Sequence, residues 1–209
     1  MSKTTLAAPV LVVDDDDAVR AAIGMLLRAS DVPYRAYPGA REFLDAAPWN
    51  EGACLVLDVK MPVMSGIDLL KELRARGIRL PVIVMTGHGD VPMAVAAMKL
   101  GAYDFIEKPF DESHLLGLIK DAAAAGALAQ TREAERTAAA SRVASLTPRE
   151  REVFELVTAG KLNKVIAYDL GLSARTVEIH RARVMEKTGA RSLSELVRIK
   201  VALEADAEG

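Results

Sequence analysis

This sequence of 209 residues has a single cysteine and no long apolar run, and we expect no secretion signal in it. Its one cysteine, Cys54, excludes an internal disulfide framework and is typical of a protein from a reducing compartment. No apolar run approaches the roughly 20 residues of a membrane-spanning helix. The apolar N-terminal stretch is interrupted by Pro9 and ends in acids, unlike a signal peptide. We therefore expect a cytoplasmic protein with no membrane partner.

The composition is that of an ordinary globular protein, with 51% hydrophobic and 27% charged residues. The length exceeds the commonest domain size of roughly 100–150 residues, which favours two domains. A net charge of −2 conceals an asymmetry between the two ends of the chain. Residues 1–125 carry 13 Lys and Arg against 17 Asp and Glu, whereas residues 161–200 carry 9 against 4. The basic C-terminal part is the candidate for contact with nucleic acid.

Short apolar runs alternate with helix-period segments between residues 8 and 125. The runs at 10–13, 34–37, 54–58, 80–85 and 104–106 are predicted strands, and a helix is predicted after each. This alternation predicts an α/β fold, a doubly wound five-stranded parallel sheet with helices on both faces. Such sheets bind ligands beyond the carboxyl ends of their strands.

Polar side chains follow these strands at the edge where a ligand is expected: Asp14, Asp15, Asp58, Thr86 and Lys108. Neighbouring carboxylates repel each other unless a cation lies among them, and hard oxygen ligands suit Mg²⁺. A lysine and a hydroxyl can bind phosphoryl oxygens, and an aspartate can be the nucleophile that forms an acyl phosphate. The set favours a site that holds a phosphoryl group on a carboxylate. A single aspartate after a strand is often only a helix cap, but the whole set is not explained that way.

The segments VVDDDDAVR, LVLDVKMPVMSGIDLL and VIVMTGHGDVPMAVAAMKLGAYDFIEKP together resemble the receiver domain of two-component response regulators over about residues 8–125. The resemblance implies a (β/α)5 sheet of strand order 2-1-3-4-5. It further implies that Asp58 accepts the phosphoryl group from a sensor histidine kinase. Asp14, Asp15, Asp58 and the main-chain carbonyl of Lys60 are then expected to bind Mg²⁺ or Mn²⁺.

The resemblance also assigns the switch residues of the receiver. Thr86 matches the hydroxyl that moves toward the phosphoryl group, Phe105 the coupled aromatic residue, and Lys108 the phosphate-binding lysine. A plain core position is the alternative for Phe105. Lys108-Pro109 matches a peptide bond that is cis in many receivers. Lys60 departs from the pattern, since many receivers have asparagine there, and its charge puts the lifetime of the phosphoryl group in doubt.

Alanine-rich sequence follows the receiver and predicts a linker helix over 125–144, which Gly126 could break. A flexible tether is the alternative. We therefore divide the chain into a receiver at 1–124, a linker at 125–144 and a third region at 145–209.

Four helices and no strand are predicted beyond residue 145. Thr147, Pro148 and Glu150 form the start signal of the first helix, and glycines end the first three. The second and third helices, NKVIAYDLG and ARTVEIHRARVMEKTG, have the form of a helix-turn-helix. Val177 and Val184 are expected to face inward. The candidate DNA contacts are Lys164, Arg175, Thr176, Glu178, Ile179, Arg181, Ala182, Arg183 and Lys187.

This region resembles the LuxR-type four-helix DNA-binding domain over about residues 145–203. The order of the two domains is similar to that of the NarL/FixJ family, and TGHGDVPMAVAAMKLGAYDFIEKPF resembles its FixJ-type branch. The resemblance implies a transcription regulator, more often an activator, that is monomeric until phosphorylated. It then forms a homodimer and binds double-stranded promoter DNA. The expected dimer surface includes Met93, Ala97, Lys99 and Asp104, and no substrate turnover is expected.

Two other functions fit parts of the sequence. One is an aspartyl-nucleophile phosphotransferase or phosphatase, but enzymes resembling haloacid dehalogenases carry a second aspartate two residues after the nucleophile, where Lys60 stands here. The other is a constitutive regulator that keeps the fold without the phosphorylation chemistry. The intact set of receiver residues argues against it.

Overall fold

The computed structural model describes residues 6–46, 49–87 and 91–204. It divides into two compact units, residues 1–129 and 130–209. The division falls inside the segment that the sequence predicts to be a linker.

The first unit is built on a five-stranded parallel sheet of order β2-β1-β3-β4-β5, as predicted. The strands are β1 Val10–Val13, β2 Tyr34–Tyr37, β3 Cys54–Asp58, β4 Val82–Thr86 and β5 Asp104–Glu107. Every residue of β1, β3 and β4 is buried, which explains their continuous apolar runs. β4 begins at Val82 and not at Leu80, because Pro81 has no N–H to give to the ladder.

Helices cover both faces of this sheet. They are α1 Asp17–Ala29, α2 Ala40–Asp45, α3 Gly66–Ala75, α4 Val91–Lys99 and the first part of α5 Glu112–Ala144, with a short 3-10 turn at Trp49–Glu51. Alternate strand residues enter two separate cores: Leu11, Leu55 and Val84 pack on one face, and Val12, Val56 and Ile83 on the other. The two cores fix the strands, and so place the carboxyl ends of the strands along one edge.

α5 is a single helix of 33 residues that includes the predicted linker segment. Gly126 does not interrupt it. A Cβ atom at that position would lie 2.8 Å from Cγ of Pro81, so glycine allows the helix to approach the β3–β4 side of the sheet closely. Ile119 and Ala122 belong to the core of the first unit, while Val143 belongs to the core of the second.

The second unit contains four further helices, as predicted: α6 Pro148–Thr158, α7 Asn163–Leu170, α8 Ala174–Thr188 and α9 Leu193–Glu204. Thr147 and Glu150 form a complete capping box at the start of α6. Gly171 and Gly189 end α7 and α8 in the left-handed conformation that glycine adopts at low cost. Phe154, Ile166, Val177 and Val184 lie at the centre of the core. None of the helices in the described part of the chain is both long and apolar enough to cross a membrane.

Candidate functional site

The sheet brings four of the predicted site residues to its carboxyl edge. Asp14 directly follows β1, while Asp58 and Thr86 are the last residues of β3 and β4. Lys108 directly follows β5, and its backbone N–H donates to the carbonyl of Thr86 at 2.7 Å. The Lys108-Pro109 peptide bond is cis, as the receiver resemblance implies. The edge predicted from strand order is therefore where these side chains lie.

An ammonium group joins two buried carboxylates at this edge. Nζ of Lys108 lies 2.7 Å from Oδ2 of Asp14 and 2.6 Å from Oδ1 of Asp58. Asp14 is 1% and Asp58 6% exposed, whereas the side chain of Lys108 is 25% exposed. Two carboxylates at this depth would repel each other strongly, so the ammonium offsets charge that water cannot reach.

Burial and the lysine act on Asp58 in opposite directions. Burial raises the pKa of the Asp58 carboxyl above its ordinary value, and hydrogen bonds from Lys108 and the backbone of Lys60 only partly reverse this. Burial lowers the pKa of Lys108, but its bonds to Asp14 and Asp58 outweigh this and leave that pKa raised. The result is a basic carboxylate beside a fully charged ammonium, which suits a nucleophile for an electrophilic phosphorus.

The loop after β3 holds Asp58 through close backbone packing. Gly66, the first residue of α3, donates its N–H to the carbonyl of Val59 at 2.9 Å. A Cβ atom on Gly66 would lie 2.0 Å from the carbonyl oxygen of Asp58, so no other residue fits without moving the loop. Ser65 caps α3, and Val63 has a positive φ of 68°, which is unusual for a β-branched residue.

The four consecutive aspartates have different environments. Asp14 is buried and accepts a hydrogen bond from the backbone of Asp16 at 2.9 Å. Asp16 is the N-cap of α1 and accepts from Ala18, and Asp17 pairs with Arg20 in the first turn. The side chain of Asp15 is exposed.

The predicted magnesium site can be compared with this arrangement. Within the described ranges, no three His, Cys, Asp or Glu side chains are grouped as metal ligands. The oxygen donors present, two buried carboxylates with Asp15 adjacent in sequence to one of them, have the chemistry that Mg²⁺ prefers. The role of the Lys60 carbonyl stays a prediction.

The predicted dimer surface needs a correction. Ala97 is fully buried in the receiver core and cannot line an exposed surface, whereas Met93 is half-buried and packs against that core. Lys99 is exposed and Asp104 half-buried. α4 is apolar nearly all round, so the sequence alone gave no sign of which side faces the sheet.

The exposed face of α4 carries apolar residues that the sequence analysis did not single out. Val91, Val95 and Met98, spaced four and three apart, are 68%, 48% and 43% exposed. With Lys99 and Phe105 they line an open cavity of about 390 Å³. Phe105 is 43% exposed, so the alternative that it is a plain core residue is wrong in this state.

The third helix of the second unit, α8, presents a mostly polar face. Arg175, Glu178, Ala182 and Arg183 are exposed, as is Ile179 at 48%. Thr176 is half-buried and its hydroxyl lies 2.8 Å from that of Ser173. Lys164 is exposed near the start of α7.

Two predicted DNA contacts are engaged within the protein. The ammonium of Lys187 lies 2.6 Å from Oε2 of Glu150, which is only 2% exposed. Hydrogen bonds from Lys187 and from the backbone of Thr147 lower the pKa of Glu150 to about 2. Arg181 donates to Oδ1 of Asn163 at 2.6 Å and so links α8 to α7. The charge of Lys187 thus holds the start of α6 against the end of α8, and its contact with DNA stays a prediction.

Comparison with known proteins agrees with both halves of this description. Residues 10–120 match the model of the response regulator receiver domain, and residues 144–200 match that of the bacterial regulatory proteins of the luxR family. The transcriptional regulatory protein FixJ of Azorhizobium caulinodans is 51% identical over 191 residues, covering 91% of this chain and 90% of that protein. FixJ of Rhizobium meliloti is 45% identical over 193 residues, covering 92% and 95%.

Solved structures give the same result. The response regulator StyR is 39% identical, with a TM-score of 0.81 over 93% of this chain and 99% of that one. Full-length FixJ from B. japonicum is 46% identical, with a TM-score of 0.59 over 94% and 97%. A receiver followed by a helix-turn-helix domain defines a two-component response regulator that regulates transcription. Within that class, this chain belongs to the FixJ-type response regulators.

Proposed function

We propose that this protein accepts a phosphoryl group on Asp58 from the phosphohistidine of a sensor histidine kinase. The observation that carries the proposal is the ammonium of Lys108, held 2.7 Å and 2.6 Å from the buried carboxylates of Asp14 and Asp58. In the transfer, a carboxylate oxygen of Asp58 attacks phosphorus and the bond from phosphorus to the histidine nitrogen breaks. The electron pair of that bond stays on the imidazole, and Asp58 becomes an acyl phosphate.

Other groups at the sheet edge support this chemistry. Lys108 supplies a positive charge for the phosphoryl oxygens, and the buried hydroxyl of Thr86 is available as a donor. Receiver domains generally bind Mg²⁺ at their phosphorylation site. Asp14, Asp15, Asp58 and the carbonyl of Lys60 are the groups we assign to Mg²⁺ or Mn²⁺ here. When bound, the ion supplies further positive charge to the phosphoryl oxygens.

Phosphorylation of the receiver then changes the oligomeric state of the protein. Phosphorylation adds roughly −1.5 to −2 charge and three acceptor oxygens, which draw Lys108 and Thr86 toward Asp58. Phe105 turns inward as Thr86 moves, and this changes the face that it shares with Val95 and Met98. We assign the homodimer contact to this face, with Lys99 and Asp104 at its polar border; the unphosphorylated chain is a monomer.

Dimerisation increases DNA affinity because two helices bind adjacent half-sites. Arg175, Thr176, Glu178, Ile179, Ala182 and Arg183 on α8, together with Lys164, form the proposed contact with promoter DNA. Arg181 contributes if it releases Asn163. We retain the division into a receiver at 1–124, a linker at 125–144 and a DNA-binding domain at 145–209. By its resemblance to the FixJ-type branch we assign the protein as a transcriptional activator. A regulator that binds promoter DNA needs access to the chromosome, so we place it in the cytoplasm, and we expect it to turn over no substrate.

The test is phosphorylation of the full-length protein by acetyl phosphate and Mg²⁺, with light scattering to measure oligomeric state. We expect one phosphoryl group per chain, stable to acid and labile to base, and conversion of monomer to dimer. The matched control is Asp58→Asn, which keeps the shape of the side chain and removes the nucleophile. It should remain unmodified and monomeric.

Each alternative predicts a different result, in this experiment or in a turnover assay on the same protein. A dimer formed by Asp58→Asn after the same treatment would refute the phosphorylation switch. Absence of the acyl phosphate in the wild type would favour a constitutive regulator. Steady-state hydrolysis of small phosphate esters would favour the phosphatase.

A further inference from the structure

One nitrogen on the proposed DNA-contacting helix has no hydrogen-bond partner among the residues that the structure describes. Nδ1 of His180 on α8 is the buried side-chain nitrogen or oxygen in the described part of the chain that makes no hydrogen bond. Burying a polar atom without a partner opposes folding, and such atoms are few in native proteins. The burial of this nitrogen is therefore not itself a source of stability for the second unit.

The position of His180 along α8 shows which face of the helix its side chain occupies. Val177 and Val184, three residues before and four after it, are buried in the core. Arg183, three residues after it, is exposed. Residues three and four apart share a helix face, so His180 lies on the border between the core face and the exposed face. It is half-buried, and of its two ring nitrogens only Nδ1 is a buried atom without a hydrogen bond.

The environment of the ring fixes the position of its proton. An N–H at Nδ1 would be a buried donor without an acceptor, and orphaned N–H groups are rarer in proteins than under-satisfied acceptors. A neutral imidazole carries its proton on the other nitrogen. The tautomer that these surroundings favour presents an Nε2–H donor at the edge of α8.

We propose that His180 donates this N–H to a phosphate oxygen of the DNA backbone. The inference rests on the proposed role of α8 in DNA binding and adds a residue to it. A helix in the major groove has bases in front of its outer face and phosphates along its borders, which is where His180 lies. An imidazole tautomer with its one proton on Nε2 carries no charge, so its contact adds affinity without releasing a counterion, unlike the contacts of arginine and lysine.

The test measures binding of the full-length protein, treated with acetyl phosphate and Mg²⁺, to a short duplex of random sequence at several salt concentrations. His180→Phe keeps the ring and removes the donor, and we expect it to weaken binding about three- to tenfold. The slope of log affinity against log salt should stay unchanged. His180→Gln places an amide N–H near Nε2 and should restore most of the loss.

Arg183→Gln is the control for a charged contact on the same helix. It should weaken binding and reduce the salt slope by about 0.9. If Arg183→Gln weakens binding and His180→Phe does not, the inference on His180 is wrong while the proposed interface stands. If neither variant changes affinity, α8 is not the DNA contact and both fail. A fall of about 0.9 in the slope for His180→Phe would show a cationic contact and refute the neutral donor.

Nitrogen-15 NMR of the wild-type protein tests the tautomer independently of DNA binding. The His180 signals are assigned by their loss in His180→Gln. We expect a protonated Nε2 and an unprotonated Nδ1 at neutral pH. The opposite tautomer would overturn the inference.

Discussion

Replacing Lys108 with methionine removes the ammonium that joins the two buried carboxylates and keeps most of the side-chain volume. The structure predicts a large effect, since Asp14 and Asp58 are 1% and 6% exposed and both lose a charged partner. Removing one member of a buried ion pair typically costs about 3–5 kcal/mol. Lys108 is itself 25% exposed, so we expect the lower end, about 3 kcal/mol of unfolding free energy near neutral pH.

The loss should depend on pH in a defined direction. Burial already raises the pKa of Asp58, and the bonds from Lys108 that lower it are absent in the variant. A raised folded-state pKa means that the folded protein binds protons more readily than the unfolded chain. Stability is then fully present below the ordinary aspartate pKa of 3.8 and is lost as pH rises through the higher folded-state value. The difference between variant and wild type should therefore shrink on acidification.

Magnesium should partly restore the variant. A divalent ion among the carboxylates takes over the charge compensation that the ammonium provides. Binding to the folded state alone stabilises by RT ln(1 + [L]/Kd), about 2.7 kcal/mol at a hundredfold excess over Kd. This part of the prediction tests the metal assignment separately from the ion pair.

Urea unfolding followed by tryptophan fluorescence is a suitable assay, because the one tryptophan, Trp49, packs against the receiver core. Lys71→Met is the matched control. Lys71 pairs with Asp68 at 3.1 Å, but both side chains are more than half exposed, so the cost should stay below about 1 kcal/mol. Equal losses for the two variants, or a loss at Lys108 that does not change with pH, would refute the reasoning. A loss at Lys108 that Mg²⁺ does not reduce would refute the metal assignment alone.

Two further predictions concern other charged residues, the aspartates beside Asp14 and the Glu150–Lys187 pair. Asp15→Ala should abolish Mg²⁺-dependent phosphorylation by acetyl phosphate, whereas Asp17→Ala should leave it intact and cost at most about 1 kcal/mol, because the latter removes only a first-turn acid of α1; equal phosphorylation of the two variants would contradict this. The pKa of Glu150 is lowered from 4.5 to about 2, so the interactions of its carboxylate stabilise the folded state fully above pH 4.5. This stabilisation is lost as the pH falls toward 2, and far-ultraviolet circular dichroism should show the helical unit unfolding in that range. Lys187→Met should reduce this pH dependence and destabilise the unit by about 1–2 kcal/mol near neutral pH, because Lys187 is 35% exposed and water screens the pair; an unchanged pH dependence would show that Lys187 is not the cause.

The order of elements was predictable because each has a strong local signal. All five strands and all nine α-helices of the described chain lie where apolar runs, caps and glycines predict them, to within a few residues. The linker part of α5 is the exception, because the sequence left a helix and a flexible tether both open there. Chain order also predicted that Asp14, Asp58, Thr86 and Lys108 meet at one edge. The carboxyl ends of parallel strands share an edge whatever the details of packing.

The sequence by itself thus determined the two folded units, the strand ends and the chemistry collected there, because these follow from local periodicity and from the geometry of a parallel sheet. Only the tertiary structure decided which side of α4 is exposed, since the helix is apolar nearly all round and either side could face the core. It likewise assigned Lys187 to Glu150, a residue 37 positions away that no local pattern connects to it. Only the tertiary structure, again, shows that Nδ1 of His180 is buried without a hydrogen-bond partner in the described chain. Burial and partnership depend on what the rest of the chain packs against each side chain, and that is settled only when the chain has folded.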